Sequence, residues 1–291
     1  MRCLFLIIIA LATLLPSLAQ AYDILILQSR RDPAYEEVVT GFRAVRSDSL
    51  RVLVLSDYAD VDVVRIVHED RPRVILAVGD AALTAARDIR NTPVVALMSL
   101  TIHSRKDSHA NLTGIGMFAP PERYINMFRA MKTRRVGVIY NPAKSGWYMR
   151  LAQRAAEAAG IELVTREVSA PRQSIEKMAS LAGKVDALWM LPDSTAVTRE
   201  TAEAYFRFGQ EQNVPVVSFA TAYLGLGAAA VLEIDRLAIG RQADAMIAML
   251  LRGNHAENIP LGFPNGTSVK TNSTVLRRLK VSINEDNSLL Q

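Results

Sequence analysis

Five short stretches place polar or aromatic side chains where an apolar run ends and a helical pattern begins. They are Gln28-Ser29-Arg30, Gly79-Asp80, Tyr140-Asn141 with Ser145 and Trp147, Asp193-Ser194-Thr195, and Phe219 with Tyr223. The chemistry they offer is recognition of a small charged molecule. Arg30 suits a carboxylate, and Asp80 or Asp193 suits an ammonium group. Tyr140, Phe219 and Tyr223 offer apolar or stacking walls, and Gly79 lets a ligand approach the backbone. Each has an ordinary structural use as well. Asp80, Ser145, Asp193 and Thr195 suit helix N-caps, Arg30 suits a solvated surface, and Tyr140 and Phe219 suit a core. Trp147 fits packing and ligand stacking equally. Catalytic patterns are missing. There is no G-x-S-x-G elbow, and Pro142-Ala143-Lys144-Ser145-Gly146 only superficially resembles a phosphate loop. Neither Gly114-x-Gly116 nor Gly225-x-Gly227 completes a dinucleotide fingerprint. His68, His103, His109 and His255 do not fall at metal-ligand spacing. The expectation is no enzyme, no cofactor and no metal.

The elements that must position these residues follow from periodicity. Strands are expected at 23–27, 51–55, 73–78 and 93–98, with helices at 33–45, 61–69 and 81–89 between and after them. The pattern restarts with strands at 135–140, 161–168, 185–191 and 214–219 and helices at 146–159, 173–182 and 199–212. The strands are continuous apolar runs, as in parallel sheets covered on both faces. Two successive βαβ series in 291 residues imply an α/β fold of two doubly wound, Rossmann-like lobes with a central cleft. Residues 111–131, with Pro120-Pro121, read as the crossover between lobes. A second crossing follows 228–234, the helical pattern 236–251 must pack back, and 260–274 reads as a returning strand and loop. The first lobe is therefore expected over 22–119 plus 235–256, and the second over 120–234 plus 257–291. Ligands of open parallel sheets sit beyond the carboxyl ends of the strands, where helix N-termini gather. All five stretches lie at such ends, so two facing lobes would enclose them in one cleft.

The amino terminus reads as a targeting signal. Arg2 precedes an apolar run over 4–15, Pro16 and Ser17 break it, and Ala19-Gln20-Ala21 has the small-x-small form of a cleavage site. The run is shorter than the roughly 20 residues that span a bilayer. A mature chain starting near Tyr22 and soluble outside the cytoplasm is expected. The single cysteine, Cys3, stands ahead of the apolar run rather than after it, so no lipid anchor and no disulfide are expected. The net charge of +5 is scattered without like-charge runs, which reads as a solvated surface rather than a nucleic-acid site.

Asn111-Leu112-Thr113-Gly114, the run from Val136 to Pro142, the run from Val185 to Asp193, the segment 227–235 and Gly240-Arg241-Gln242-Ala243 together resemble the ABC transporter substrate-binding family related to tryptophan-binding lipoproteins. That family has the type I periplasmic-binding-protein fold. The resemblance implies a monomer that holds a small ligand between its lobes, with the turns at 141–145 and 193–195 facing it. It also implies that 236–251 packs on the first lobe, giving three interlobe crossings. The chain departs from the family at Ser29-Arg30-Arg31-Asp32-Pro33, where a His-Pro pair is usual, and at Asp193-Ser194-Thr195, where Asn-Thr is usual. The function expected is capture of an amino acid or related zwitterion in a Gram-negative periplasm by hinge closure, for an inner-membrane ABC permease. The alternative is a periplasmic sensing subunit that docks on a signalling receptor.

Overall fold

The computed structural model describes residues 22–47, 49–103 and 111–283. The expected signal segment, Cys3 and His109 lie outside the described residues. The first sheet holds β1 (Ile24–Gln28), β2 (Leu50–Val54), β3 (Val74–Val78), β4 (Val94–Leu97) and β5 (Leu112–Ile115), in the order β2-β1-β3-β4-β5. All its pairings are parallel. The second sheet holds β6 (Arg135–Tyr140), β7 (Glu162–Glu167), β8 (Ala187–Trp189), β9 (Val216–Ser218), β10 (Ala230–Ile234) and β11 (Thr267–Thr271). Its order is β11-β10-β9-β8-β6-β7. Read from β7, this repeats the first sheet's order and adds β11, which runs antiparallel to β10. Each sheet thus has a switch point, between β1 and β3 and between β6 and β8, where chain direction across the sheet reverses and a crevice opens.

The apolar runs are covered on both faces, as their lack of alternation requires. Ile24, Ile26, Leu76, Val95 and Leu97 pack under α1 (Pro33–Arg43) and α8 (Arg236–Leu251). Leu25, Leu27, Ile75, Ala77 and Ala96 pack on the opposite face, under α2 (Val63–Asp70) and α3 (Asp80–Ala85). In the second lobe, α4 (Pro121–Ala130) and α5 (Pro142–Ala158) cover one face around Trp189, Val136 and Val138. The other face is covered by α6 (Gln173–Ala179) and α7 (Arg199–Glu211) around Ile139, Leu188 and Val231. The last helix among the described residues, α9 (Ser273–Leu279), follows β11.

Helix α8 crosses α1 at backbone contact distance. A Cβ at Gly41 would lie 2.2 Å from the Leu237 carbonyl oxygen, and one at Gly240 would lie 2.1 Å from that of Val38. Two glycines on facing helices let the backbones meet, which seats the returning helix on the first lobe.

The crossings differ from the sequence reading in two places, the first and the third. Residues 111–131 are not one connection: they contain β5 and α4, and the passage itself is confined to 116–120. The segment 228–234 is mostly β10, and the second passage is at Asp235, whose side chain accepts from Ala238 N–H and caps α8. The third passage comes later than 256. Gly262 bridges Ile115 in parallel, accepting from Gly116 N–H at 3.0 Å and donating to Gly114 at 2.9 Å. The chain therefore stays on the first lobe through Gly262 and leaves at Phe263. A strand edge hidden by Pro260 and two nearby glycines carries no periodic signal, which is why the boundary looked earlier.

Candidate functional site

The two switch points are built alike. In the first lobe, the Ser29 hydroxyl at the end of β1 donates to the Val78 carbonyl at 2.9 Å and accepts from Ala82 N–H at 2.9 Å. This ties β1, β3 and the start of α3 together. Gly79 between them has φ +92°, and a Cβ there would lie 2.5 Å from Ser29 Oγ and 2.7 Å from Tyr35 Oη. In the second lobe, Asn141 at the end of β6 caps α5 by accepting from Ala143 N–H at 2.9 Å. Its Nδ2 donates to Thr195 Oγ1 at 3.2 Å. Asp193, just past β8 and 2 % exposed, accepts from Asn141 N–H at 2.8 Å and the Ser145 hydroxyl at 2.5 Å on Oδ2. Its Oδ1 accepts from the N–H groups of Thr195 and Ala196 at 2.8 and 3.0 Å.

Asp80 is similarly committed. It accepts from Ser99 Oγ at 2.6 Å, Thr101 Oγ1 at 2.7 Å, Thr101 N–H at 3.1 Å and Leu100 N–H at 3.4 Å. A carboxylate offers about four lone-pair directions, two on each oxygen: Asp193 has two donors on each, whereas Asp80 has three on Oδ1 and only the 3.4 Å bond on Oδ2. Asp193 is therefore an organiser of its strand-end turn rather than an open receiver of an ammonium group, which corrects the sequence expectation, and Asp80 holds the turn at Ser99 to Thr101.

Between the lobes lies a gap of about 30 Å³ lined by Leu100, Thr101 and Phe118 from the first lobe and its exit, and by Lys144, Ser145, Pro192, Asp193 and Ser194 from the second. Among the sequence candidates, Ser145, Asp193 and Ser194 reach it. Lys144 donates to Ser194 Oγ at 2.9 Å across its mouth. Two larger hollows, of about 540 and 570 Å³, are each lined from the first lobe alone. Among the described residues, the interlobe gap joins both sets of strand ends.

The other candidates are placed elsewhere. Gln28 is buried and donates to the Arg30 carbonyl and to Glu36. Arg30 is exposed, pairs with Asp32 at 2.8 Å and lies over the Tyr35 ring, so its charge is spent beside the cleft. That guanidinium, helped by the Ala34 N–H, holds Asp32 below the ordinary carboxylate range against the effect of burial. Tyr140 donates to Glu167 at 2.9 Å. Burial and then the neighbouring Glu167 push its phenol up to about 12. Phe219 and Tyr223 pack against each other, with Phe206 on Tyr223, at the edge of the α7 side of the second lobe. They do not wall the gap, because the short 3-10 turn Thr221–Leu224 folds them back. Trp147 stacks on His103, touches Phe118 edge-on and faces Phe263. Its place is among the passages between lobes.

Sequence reasoning missed Leu100, Thr101, Phe118, Lys144 and Pro192. Thr101 and Leu100 follow the fourth strand, so the strand-end rule applied to every strand would have reached them. Lys144 and Pro192 lay inside turns already singled out. Phe118 sits in a passage between lobes and had no strand-end signal. Among the described residues, no group of three or more His, Cys, Asp or Glu side chains could hold a metal ion. No described helix is long and apolar enough to cross a membrane.

Comparison with known proteins agrees with this architecture. A structure of a conserved domain protein from Vibrio cholerae matches with TM-score 0.64 and 21% identity, over 91% of this chain and 96% of that one. An ABC domain in complex with L-Trp from Streptococcus pneumonia matches with TM-score 0.64 and 19% identity, over 90% and 95%. A ligand-free, open substrate binding protein with adhesive properties from Clostridium difficile matches with TM-score 0.69 and 17% identity, over 91% and 97%. These likenesses establish the type I periplasmic-binding-protein fold. A tyrosine-binding protein of Clostridioides difficile is 20% identical over 221 residues, 72% of this chain. The match spans 64% of that relative's length. The family model described as ABC transporter substrate binding protein matches residues 56–290. This is a family of binding proteins rather than of catalysts, and the chain belongs to it.

Proposed function

We propose that this protein captures an aromatic L-amino acid between its lobes outside the cytoplasm, as a monomer, and presents it to an ABC permease of the inner membrane. The observation that carries this reading is the convergence of two sheets of the same strand order on one gap, lined from both sides by Leu100, Thr101, Phe118, Lys144, Ser145 and Ser194. At about 30 Å³ the gap has room for a water or two, far below the roughly 300–1,000 Å³ of pockets that engulf small molecules. Ligand entry therefore requires the lobes to swing apart about the passages at 116–120, Asp235 and Phe263, and capture requires them to close. Aromatic ligands are favoured by Phe118, Leu100 and Pro192 on the walls and by the ligands of the relatives, tyrosine in one and L-Trp in another. The segment 2–21 supports export.

The test is a thermal-shift screen of the chain from Tyr22 onward with amino acids, peptides, nucleosides and sugars. A true ligand at 100 times its Kd stabilises by about 2.7 kcal/mol. Tyrosine or tryptophan should give the largest shift. A shift with sugars or nucleosides and none with amino acids would overturn the proposal.

A further inference from the structure

We infer that the cleft selects its ligand through an acid group bound by Lys144, the ligand's amino group adding little. This rests on the interlobe gap being the ligand site.

The charge arrangement around the gap is one-sided. Among the described residues lining it, Asp193 and Lys144 are the ionised groups. Asp193 already accepts four hydrogen bonds from its own lobe. Asp80, which holds Thr101 against the gap, also accepts four. The carboxylate that lines the gap, Asp193, therefore offers an incoming ammonium no open lone-pair direction, and Asp80, whose Oδ2 takes only the 3.4 Å bond from Leu100 N–H, is not among the lining residues. Neutral hydroxyls such as Ser194 would only replace the bonds that the ammonium makes to water, at little net gain.

Lys144 is the opposite case. An ammonium has three N–H donors, and the exposed Lys144 uses one of them on Ser194 Oγ at 2.9 Å. Arg30, the cation expected from sequence to meet a carboxylate, is bound to Asp32 and stacked on Tyr35 and does not line the gap. Lys144 also sits in the first turn of α5, a helix of 17 residues with no acidic residue in that turn. The positive end of the helix dipole disfavours a lysine there and favours an anion. A carboxylate bound at that spot would gain from both the ammonium and the dipole, with its apolar body against Leu100, Phe118 and Pro192. Ser194 would be the group displaced or shared.

The experiment is isothermal titration of the wild-type chain with two series. One is L-tryptophan, indole-3-propionate and tryptamine. The other is L-tyrosine, 3-(4-hydroxyphenyl)propionate and tyramine. The desamino acids should bind within about fivefold of their amino acids. The decarboxylated amines should bind about 10–100-fold more weakly, the range of a charge-assisted hydrogen bond. Lys144→Met should weaken the amino acids and desamino acids by the same 10–100-fold and leave the weak binding of the amines unchanged. Its melting temperature without ligand should match the wild type. If tryptamine or tyramine binds as tightly as its amino acid, or Lys144→Met weakens all members alike, the inference falls while the receptor reading stands. If none of the six compounds binds, both fall.

Discussion

Trp147 lies face to face with His103, their ring centroids 3.3 Å apart and their planes 20° from parallel. Trp147 belongs to α5 of the second lobe, and His103 follows β4 of the first, so the stack bridges the lobes. Trp147 also packs against Phe118 and Phe263 in the passages between the lobes, so an opening about those passages changes the surroundings of its ring. The chain's other tryptophan, Trp189, is fully buried in the second lobe against Tyr124 and Phe128. Intrinsic fluorescence should therefore report lobe motion through Trp147 alone. A ligand-dependent emission change should persist in Trp189→Phe and vanish in Trp147→Phe. The reverse pattern would place the ligand-linked change inside the second-lobe core.

Asp193 should matter first to stability. Replacing it with Ala leaves Asn141 N–H, the Ser145 hydroxyl and the N–H groups of Thr195 and Ala196 without their acceptor in a buried setting. Each orphaned buried donor costs on the order of 1–3 kcal/mol before relaxation and water entry. The expected loss for Asp193→Ala is about 3 kcal/mol by urea unfolding of the ligand-free protein, with Asp193→Asn intermediate. A variant that unfolds like the wild type but binds far more weakly would restore the direct ligand role expected from sequence.

That reversal marks where the sequence stops being informative. The two doubly wound lobes were legible because strands covered on both faces have to be continuously apolar, as Ile24 to Leu27 and Val74 to Val78 are. The strand-end rule then located the turns at Ser29, Asp80, Asn141 and Asp193 correctly. What it could not separate was the group that holds a turn from the group that faces the gap. Asp193 and Lys144 both belong to turns at the same edge. Only the three-dimensional donor count shows that one is saturated and the other has N–H groups to spare. Arg30 misled for the same reason, since its pairing with Asp32 depends on how the turn into α1 bends. Phe219 and Tyr223 were misplaced because a short 3-10 turn has no periodicity to reveal it.

The seat of α8 on the first lobe gives a contrast between two glycines. At Gly240 a Cβ would meet the Val38 carbonyl oxygen at 2.1 Å and Phe42 N at 2.5 Å, both backbone atoms. Gly240→Ala must push α8 off α1, an overpacking cost of about 3 kcal/mol. At Gly146, inside α5, the nearest neighbours of an added Cβ are at 3.8 and 3.9 Å. Gly146→Ala there meets ordinary contact and gains up to about 1 kcal/mol of helix propensity. The first variant should melt about 10 °C lower, and the second should melt at or above the wild-type temperature. Equal effects at both sites would mean that the helix crossing adjusts freely.

Acid should weaken the passage at the end of β10. Glu233 accepts from Thr221 Oγ1 and Lys270 Nζ, each at 2.5 Å, and lies 3.5 Å from Arg236. Arg236 also reaches Glu37 on α1 at 3.1 Å, so one guanidinium joins a carboxylate of each lobe. Burial raises the Glu233 pKa, but the bonds from Lys270 and Thr221 and the charge of Arg236 outweigh it and hold the group below its ordinary value. A carboxyl depressed in the folded state contributes stability that is present above its unfolded pKa of about 4.3 and is lost as pH falls through the folded value. At pH 7, Glu233→Gln should unfold with about 2 kcal/mol less stability than the wild type, the scale of a charged hydrogen bond. The informative quantity is the difference between the two proteins. That difference should hold from pH 7 to about 5 and shrink below about 4, measured by urea unfolding at each pH. A difference unchanged down to pH 3 would show that the charge on Glu233 contributes nothing to the joint between the lobes.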